Sequence, residues 1–152
     1  MDYYSEIKER LINNEIIKRK NDYSKNKNDL ETYYDVGRII IEAEGGDSLI
    51  KEYSKRLTLE LGKGYNLSAL KRMRKFYLII QKGAILSHLS TWSHYVELLR
   101  FDNINQINYY VNIITKQNLS VRELRYKIKN KEYERLGYEE KNKLVNKEDI
   151  KV

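Results

Sequence analysis

The chain has 152 residues, enough for one domain with a single core, and carries 41% hydrophobic and 34% charged residues with a formal net charge of +7. A pI near 9.3 favours an anionic partner such as nucleic acid, an acidic protein or a membrane surface. The absence of Cys excludes disulfides, thiolate metal sites and a Cys nucleophile, and the absence of Pro removes the commonest helix breaker. Helical periodicity then runs through nearly the whole chain. The first helix is predicted over about residues 5–20, with Ile7, Leu11, Ile12 and Ile16 on one side. Polar residues Asn21 to Asn28 read as a loop or a weak extension of it. A second helix follows over about 29–43, with Asp29 as N-cap, Gly45-Gly46 as stop, and Leu30, Tyr33, Tyr34, Gly37, Ile40 and Ile41 facing inward. Gly37 costs about 1 kcal/mol against Ala inside a helix, so it marks a close helix crossing.

The third helix starts near Asp47 or Ser48, carries Leu49, Ile50, Tyr53, Leu57 and Leu61, and ends at Gly62-Lys63-Gly64. The fourth starts after Asn66 and runs to about 82. A fifth spans about 90–101 and a sixth about 103–116. Ser120 caps a last long helix to about 135. The expected architecture is all-α, a compact multi-helix domain over residues 1–136, with a polar, weakly ordered tail over 137–152.

The fourth helix is the most informative stretch. At 100° per residue, Leu67, Leu70, Met73, Phe76, Tyr77 and Ile80 fall on one arc. Ser68, Lys71, Arg72, Lys75 and Lys82 fall on the other, with Arg74 at the border. No Asp or Glu occurs between 67 and 82. A face with several cations and no anions repels itself, and duplex DNA supplies phosphates at high density. Lys and Arg suit phosphates, Arg72 or Arg74 suits guanine edges, and Ser68 is placed to cap the helix. An amphipathic helix, a Gly-containing turn and a basic helix make residues 47–82 a helix-turn-helix-like unit. The alternative for such a face is a solvated surface, or a Lys- and Asn-rich composition with no partner.

The last helix offers a second basic face. Val121, Leu124 and Ile128 mark its inner side, and Arg122, Arg125, Lys129, Tyr126 and Tyr133 lie largely opposite. Cations with interleaved aromatics suit a sugar-phosphate backbone, although snorkelling cations on an outer helix give the same pattern, and Glu123, Glu132 and Glu134 dilute the charge.

No catalytic chemistry is legible. His88 and His94 are six residues apart, whereas one helix pairs metal ligands three or four apart. Glu60-Leu61-Gly62-Lys63-Gly64 lacks P-loop spacing. The Glu-x-Lys strings at Glu6-Ile7-Lys8 and Glu139-Glu140-Lys141 have no strand pair and no upstream Asp. His94 and Trp92 are assigned to the structure, with Trp92 in the core. No metal, cofactor or enzymatic activity is expected. No apolar run is long enough to cross a bilayer, and no secretory signal opens the chain, so a cytoplasmic location is expected.

Several ordered blocks resemble the N-terminal domain of the YhcG-like PD-(D/E)XK nuclease family. They are Tyr33-Tyr34-Asp35-Val36-Gly37-Arg38-Ile39-Ile40; the Leu-containing helix Ile50 to Leu61; and Gly64-Tyr65-Asn66-Leu67-Ser68 with Met73-Arg74-Lys75-Phe76-Tyr77. Further on come Leu89-Ser90-Thr91-Trp92-Ser93-His94, Asn108-Tyr109-Tyr110, Ser120-Val121-Arg122-Glu123-Leu124 and Tyr133-Glu134-Arg135-Leu136. The resemblance covers about residues 5–136 and implies a helical, DNA-binding part. Family members continue into a nuclease domain, so no nuclease residues carry over to this chain.

The resulting expectation is a non-catalytic module that binds double-stranded DNA through Ser68, Lys71, Arg72, Arg74 and Lys75, with Arg122, Arg125 and Lys129 as a second set for adjacent phosphates. The rival is an interaction module that forms a homodimer or docks onto a nuclease or restriction-type partner, with Tyr109, Tyr110 and Tyr126 as contact residues.

Overall fold

A computed structural model describes residues 2–19 and 25–137. The tail expected from 138 onward and the first part of the polar stretch after α1, residues 20–24, lie outside the described residues. Within them the chain is all-helical: α1 (Tyr3–Arg19), α2 (Lys25–Ala43), α3 (Gly46–Leu61), α4 (Leu67–Gln81), α5 (Trp92–Leu98), α6 (Ile104–Gln117) and α7 (Val121–Lys129). The chain divides into two compact units, Met1–Leu78 and Ile79–Val152.

In the first unit α1 packs along α2, and α3 touches both. Ile7, Leu11, Leu30, Val36, Ile39, Ile50 and Leu57 are fully buried there. Polar ties fix the pairs. Asn14 donates to Asp29 at 2.9 Å, and Lys18 donates to the Tyr33 hydroxyl at 2.9 Å, joining α1 to α2. Tyr4 donates to Glu60, which also pairs with Lys8 at 2.7 Å, joining α1 to α3. Burial and the Glu60 carboxylate push the Tyr4 phenol up to about 12. Arg56 lies 3.7 Å from the centre of the Tyr4 ring.

These ties correct the expected inner faces. Ile12 and Ile16 are exposed, and Tyr4 and Asn14 take buried places on α1 instead. Asp29 is no N-cap, because α2 begins at Lys25 and Asp29 is spent on Asn14 and Lys18. On α2 Val36 and Ile39 are buried while Ile41 reaches the surface.

Gly37 is where α2 meets α4. A Cβ there would lie 2.2 Å from the Met73 carbonyl oxygen and 2.8 Å from the Tyr77 Cβ. Any side chain at 37 would therefore push the two helices apart, as a close crossing requires.

In the second unit α6 is the central element, and all eight residues from Ile107 to Ile114 are buried. Its polar side chains hold the loop before α5. Asn108 accepts from the Ile85 amide at 2.8 Å and donates to the Gly83 carbonyl at 3.1 Å. Tyr95 of α5 completes that loop, donating to the Ile85 carbonyl and accepting from the Ser87 amide. Burial raises its phenol far above the ordinary range. Tyr109 packs against Tyr110 and Tyr133, with ring centres 5.1 and 5.5 Å away.

His94 is a capping residue. The Thr91 amide donates to its Nδ1 at 2.9 Å, which leaves the proton on Nε2 to bond the Leu119 carbonyl at 2.8 Å. Trp92 is half-buried and not a core residue, because α5 turns Tyr95 and Leu98 inward and Trp92 stands at its first position.

Candidate nucleic-acid interface

Helix α4 is set by the link before it. Gly62 and Gly64 take φ of 97° and 118°, conformations that favour glycine and end α3. Tyr65 is buried and donates to Glu15 of α1, which anchors the link. Asn66 is the N-cap: its Oδ1 accepts from the Ala69 amide at 2.9 Å and its carbonyl from the Leu70 amide at 3.1 Å. The expected cap, Ser68, stands two residues too late and is exposed within the helix. Leu70, Met73 and Phe76 are buried, in agreement with the wheel, while Ile79 takes the buried place expected for Ile80, and Leu67, Tyr77 and Ile80 are half-buried.

The outer face is less uniform than its sequence. Arg72 is exposed, and Lys71, Arg74 and Lys75 are half-buried. Arg74 is paired with Asp47 at the start of α3, at 3.0 Å. Lys75 is engaged within the fold as well. Lys71 and Arg72 have no ion-pair partner among the described residues. A phosphate beside them would meet cations whose charge is uncompensated.

Helix α7 presents the second face. Ser120 accepts from the Glu123 amide at 3.1 Å while the Glu123 carboxylate accepts from the Ser120 amide at 2.9 Å, a capping box. These bonds hold the Glu123 carboxyl below its ordinary value. The helix ends at Lys129 rather than near 135. The Lys131 amide bonds to the Ile128 carbonyl and the Glu132 amide to the Lys127 carbonyl, with Lys131 at φ 55°. That is a Schellman closure with Lys where Gly is usual, and so it carried no stop signal. The turn brings Glu132 to Tyr109, at 2.6 Å, and to Lys127, at 3.0 Å.

Arg122, Arg125, Tyr126 and Lys129 are all exposed on α7. Arg125 is tied to the buried carboxylate of Glu97 at 2.6 Å, which Arg100 also holds at 2.7 Å. Arg122 and Lys129 have no ion-pair partner among the described residues. The tyrosines separate sharply: Tyr109 and Tyr110 are 2% and 0% exposed and serve the core, whereas Tyr126 is 69% exposed. Two of the three residues expected at a partner interface are therefore interior. Tyr133, expected on the outer side of the helix, is also buried, because the chain has already turned back.

Among the described residues no group of three His, Asp or Glu side chains is placed to hold a metal ion, and no helix is long and apolar enough to cross a membrane.

Comparison with known families matches residues 7–135 to the DUF1016 N-terminal domain. The chain belongs to this family. It is the YhcG-like N-terminal region, and the match spans almost the same stretch as the blocks from Tyr33 to Leu136 and the helix before them. No curated protein and no solved structure matches the chain. Among its described residues this member of the family is all-helical, with exposed cations on α4 and on α7.

Proposed function

We propose that this DUF1016 N-terminal domain binds double-stranded DNA through α4 and has no catalytic activity of its own. The observation that carries the reading is the pair Lys71 and Arg72, neither balanced by an acidic partner among the described residues, on a helix without a single Asp or Glu. In this reading α3, the link Gly62–Asn66 and α4 act as a helix-turn-helix-like unit. Lys71 and Lys75 hold phosphates, and Ser68 contributes a hydroxyl to the backbone near the helix start. Arg72 faces the base edges, and Arg74 joins it only by leaving Asp47.

Replacing Lys71, Arg72 and Lys75 together by Ala tests this. Duplex affinity, read by fluorescence anisotropy, should fall about tenfold or more, and the slope of log affinity against log salt should flatten by up to about three. Far-UV circular dichroism should be unchanged. Unaltered affinity and slope in a folded variant would remove α4 from the interface.

A second reading, docking to a nuclease partner or a second copy, is favoured by one feature. Ile12 and Ile16, 36% and 49% exposed, stand four residues apart on α1 and share a face. Measuring the mass in solution and in the presence of a candidate partner discriminates it.

A further inference from the structure

Tyr126 differs from every other tyrosine described in its unit. Tyr95, Tyr109, Tyr110 and Tyr133 are buried and bonded or stacked inside. Tyr126 holds its ring in solvent, and its hydroxyl has no partner among the described residues. The ring also stands between two open hollows. One, of about 310 Å³, is lined by Arg122, Glu123, Tyr126 and Lys127, towards the start of α7. The other, of about 430 Å³, is lined by Tyr126, Lys127, Asn130, Glu132 and Arg135, towards its end.

The charge around the ring is mainly positive, with Glu134 as an exposed acid in the turn after α7. Residues 121–137 contain six cations and three acids. Glu123 is spent on the cap of α7, and Glu132 on Lys127 and Tyr109. Arg122, Lys129 and Arg135 are exposed, with no ion-pair partner among the described residues. A flat ring flanked by hollows, with cations on both sides along the helix, matches a ligand that alternates flat rings with phosphates.

We propose that Tyr126 is a stacking platform for an unpaired nucleobase, with Arg122 on one side and Lys129 and Arg135 on the other holding the flanking phosphates of a single strand. Stacking of this kind accepts any base, because every base offers a π-face. The site is built wholly from α7 and the turn after it, so it stands or falls apart from duplex binding by α4. A duplex has no base to offer: its rings are stacked on one another.

The test uses the whole chain with fluorescein-labelled oligothymidylate and oligouridylate, and a duplex as control, read by anisotropy. Wild type should bind at least one of the two single strands. Tyr126→Ala should weaken that binding about tenfold, and Tyr126→Phe, which keeps the ring, should hold it within about twofold. Whichever strand shows the loss identifies the source as DNA or RNA. Duplex affinity should be the same in all three proteins, whatever the α4 variant does. Circular dichroism of the Ala variant should match wild type, since the ring is largely exposed. The proposal is overturned if neither strand binds, if Tyr126→Ala binds as wild type does, or if Tyr126→Phe loses as much as Tyr126→Ala.

Discussion

Helix α4 contains no acidic residue, yet one of its cations, Arg74, is held by Asp47 from the neighbouring helix. Helix α7 contains Glu123 and is followed by Glu132 and Glu134; the first two carboxylates are consumed locally, by the Ser120 cap and by Lys127 with Tyr109, while Glu134 is exposed. On the sequence α4 is the purer basic face and α7 the diluted one. In the fold the two are nearer equal, with Lys71 and Arg72 left uncompensated on the first, and Arg122 and Lys129 on the second. The difference teaches that charge along a helix is a poor measure of charge available to a ligand. Availability is settled by capping bonds and by partners distant in sequence. The two faces also differ in what accompanies the charge: α7 alone carries a ring in solvent.

The seat of α4 against α2 is the most sensitive point of its face. Gly37→Ala places a methyl against the Met73 carbonyl, in backbone that cannot yield without moving the helix. Overpacking of this sort should cost about 1–3 kcal/mol, outweighing the gain of about 1 kcal/mol in helix propensity at the upper end. Urea unfolding should show an earlier midpoint; a midpoint later than wild type would mean that α2 and α4 do not cross as tightly as described.

Smaller effects sharpen the comparison at the caps. Asn66→Ala on α4 and Ser120→Ala on α7 should each cost about 1 kcal/mol, while Ser68→Ala should stay within about 0.5 kcal/mol. If Ser68→Ala costs as much as Asn66→Ala, the start of α4 has been misassigned by two residues. Ser120→Ala leaves the Glu123 amide without its hydroxyl acceptor, while the Glu123 carboxylate keeps the backbone amide of residue 120.

Much of the fold was legible because helical spacing, caps and glycines are local signals. The starts of α3, α4 and α7, the stop at Gly62, and the close approach at Gly37 followed from such signals. The failures have physical causes as well. The inner face of α1 was misread because Ile12 and Ile16 are apolar, whereas the fold buries Tyr4 and Asn14 by supplying Glu60 and Asp29 as partners. Those acids lie on other helices, where periodicity cannot see them. The end of α7 was missed because Lys131 adopts a conformation that glycine usually signals. With it went the placement of Arg135 beside Tyr126, and the burial of Tyr133. Tyr126 itself was legible from its place opposite Leu124. The fate of Arg74 was not, since Asp47 lies 27 positions earlier in the chain.

The most direct measurement is anisotropy of a labelled duplex titrated with the wild-type chain across a range of salt. Binding by the α4 cations predicts measurable affinity at low salt that falls steeply as salt rises, with a slope near −0.9 for each phosphate neutralised. No binding at low salt, or affinity indifferent to salt, would contradict it.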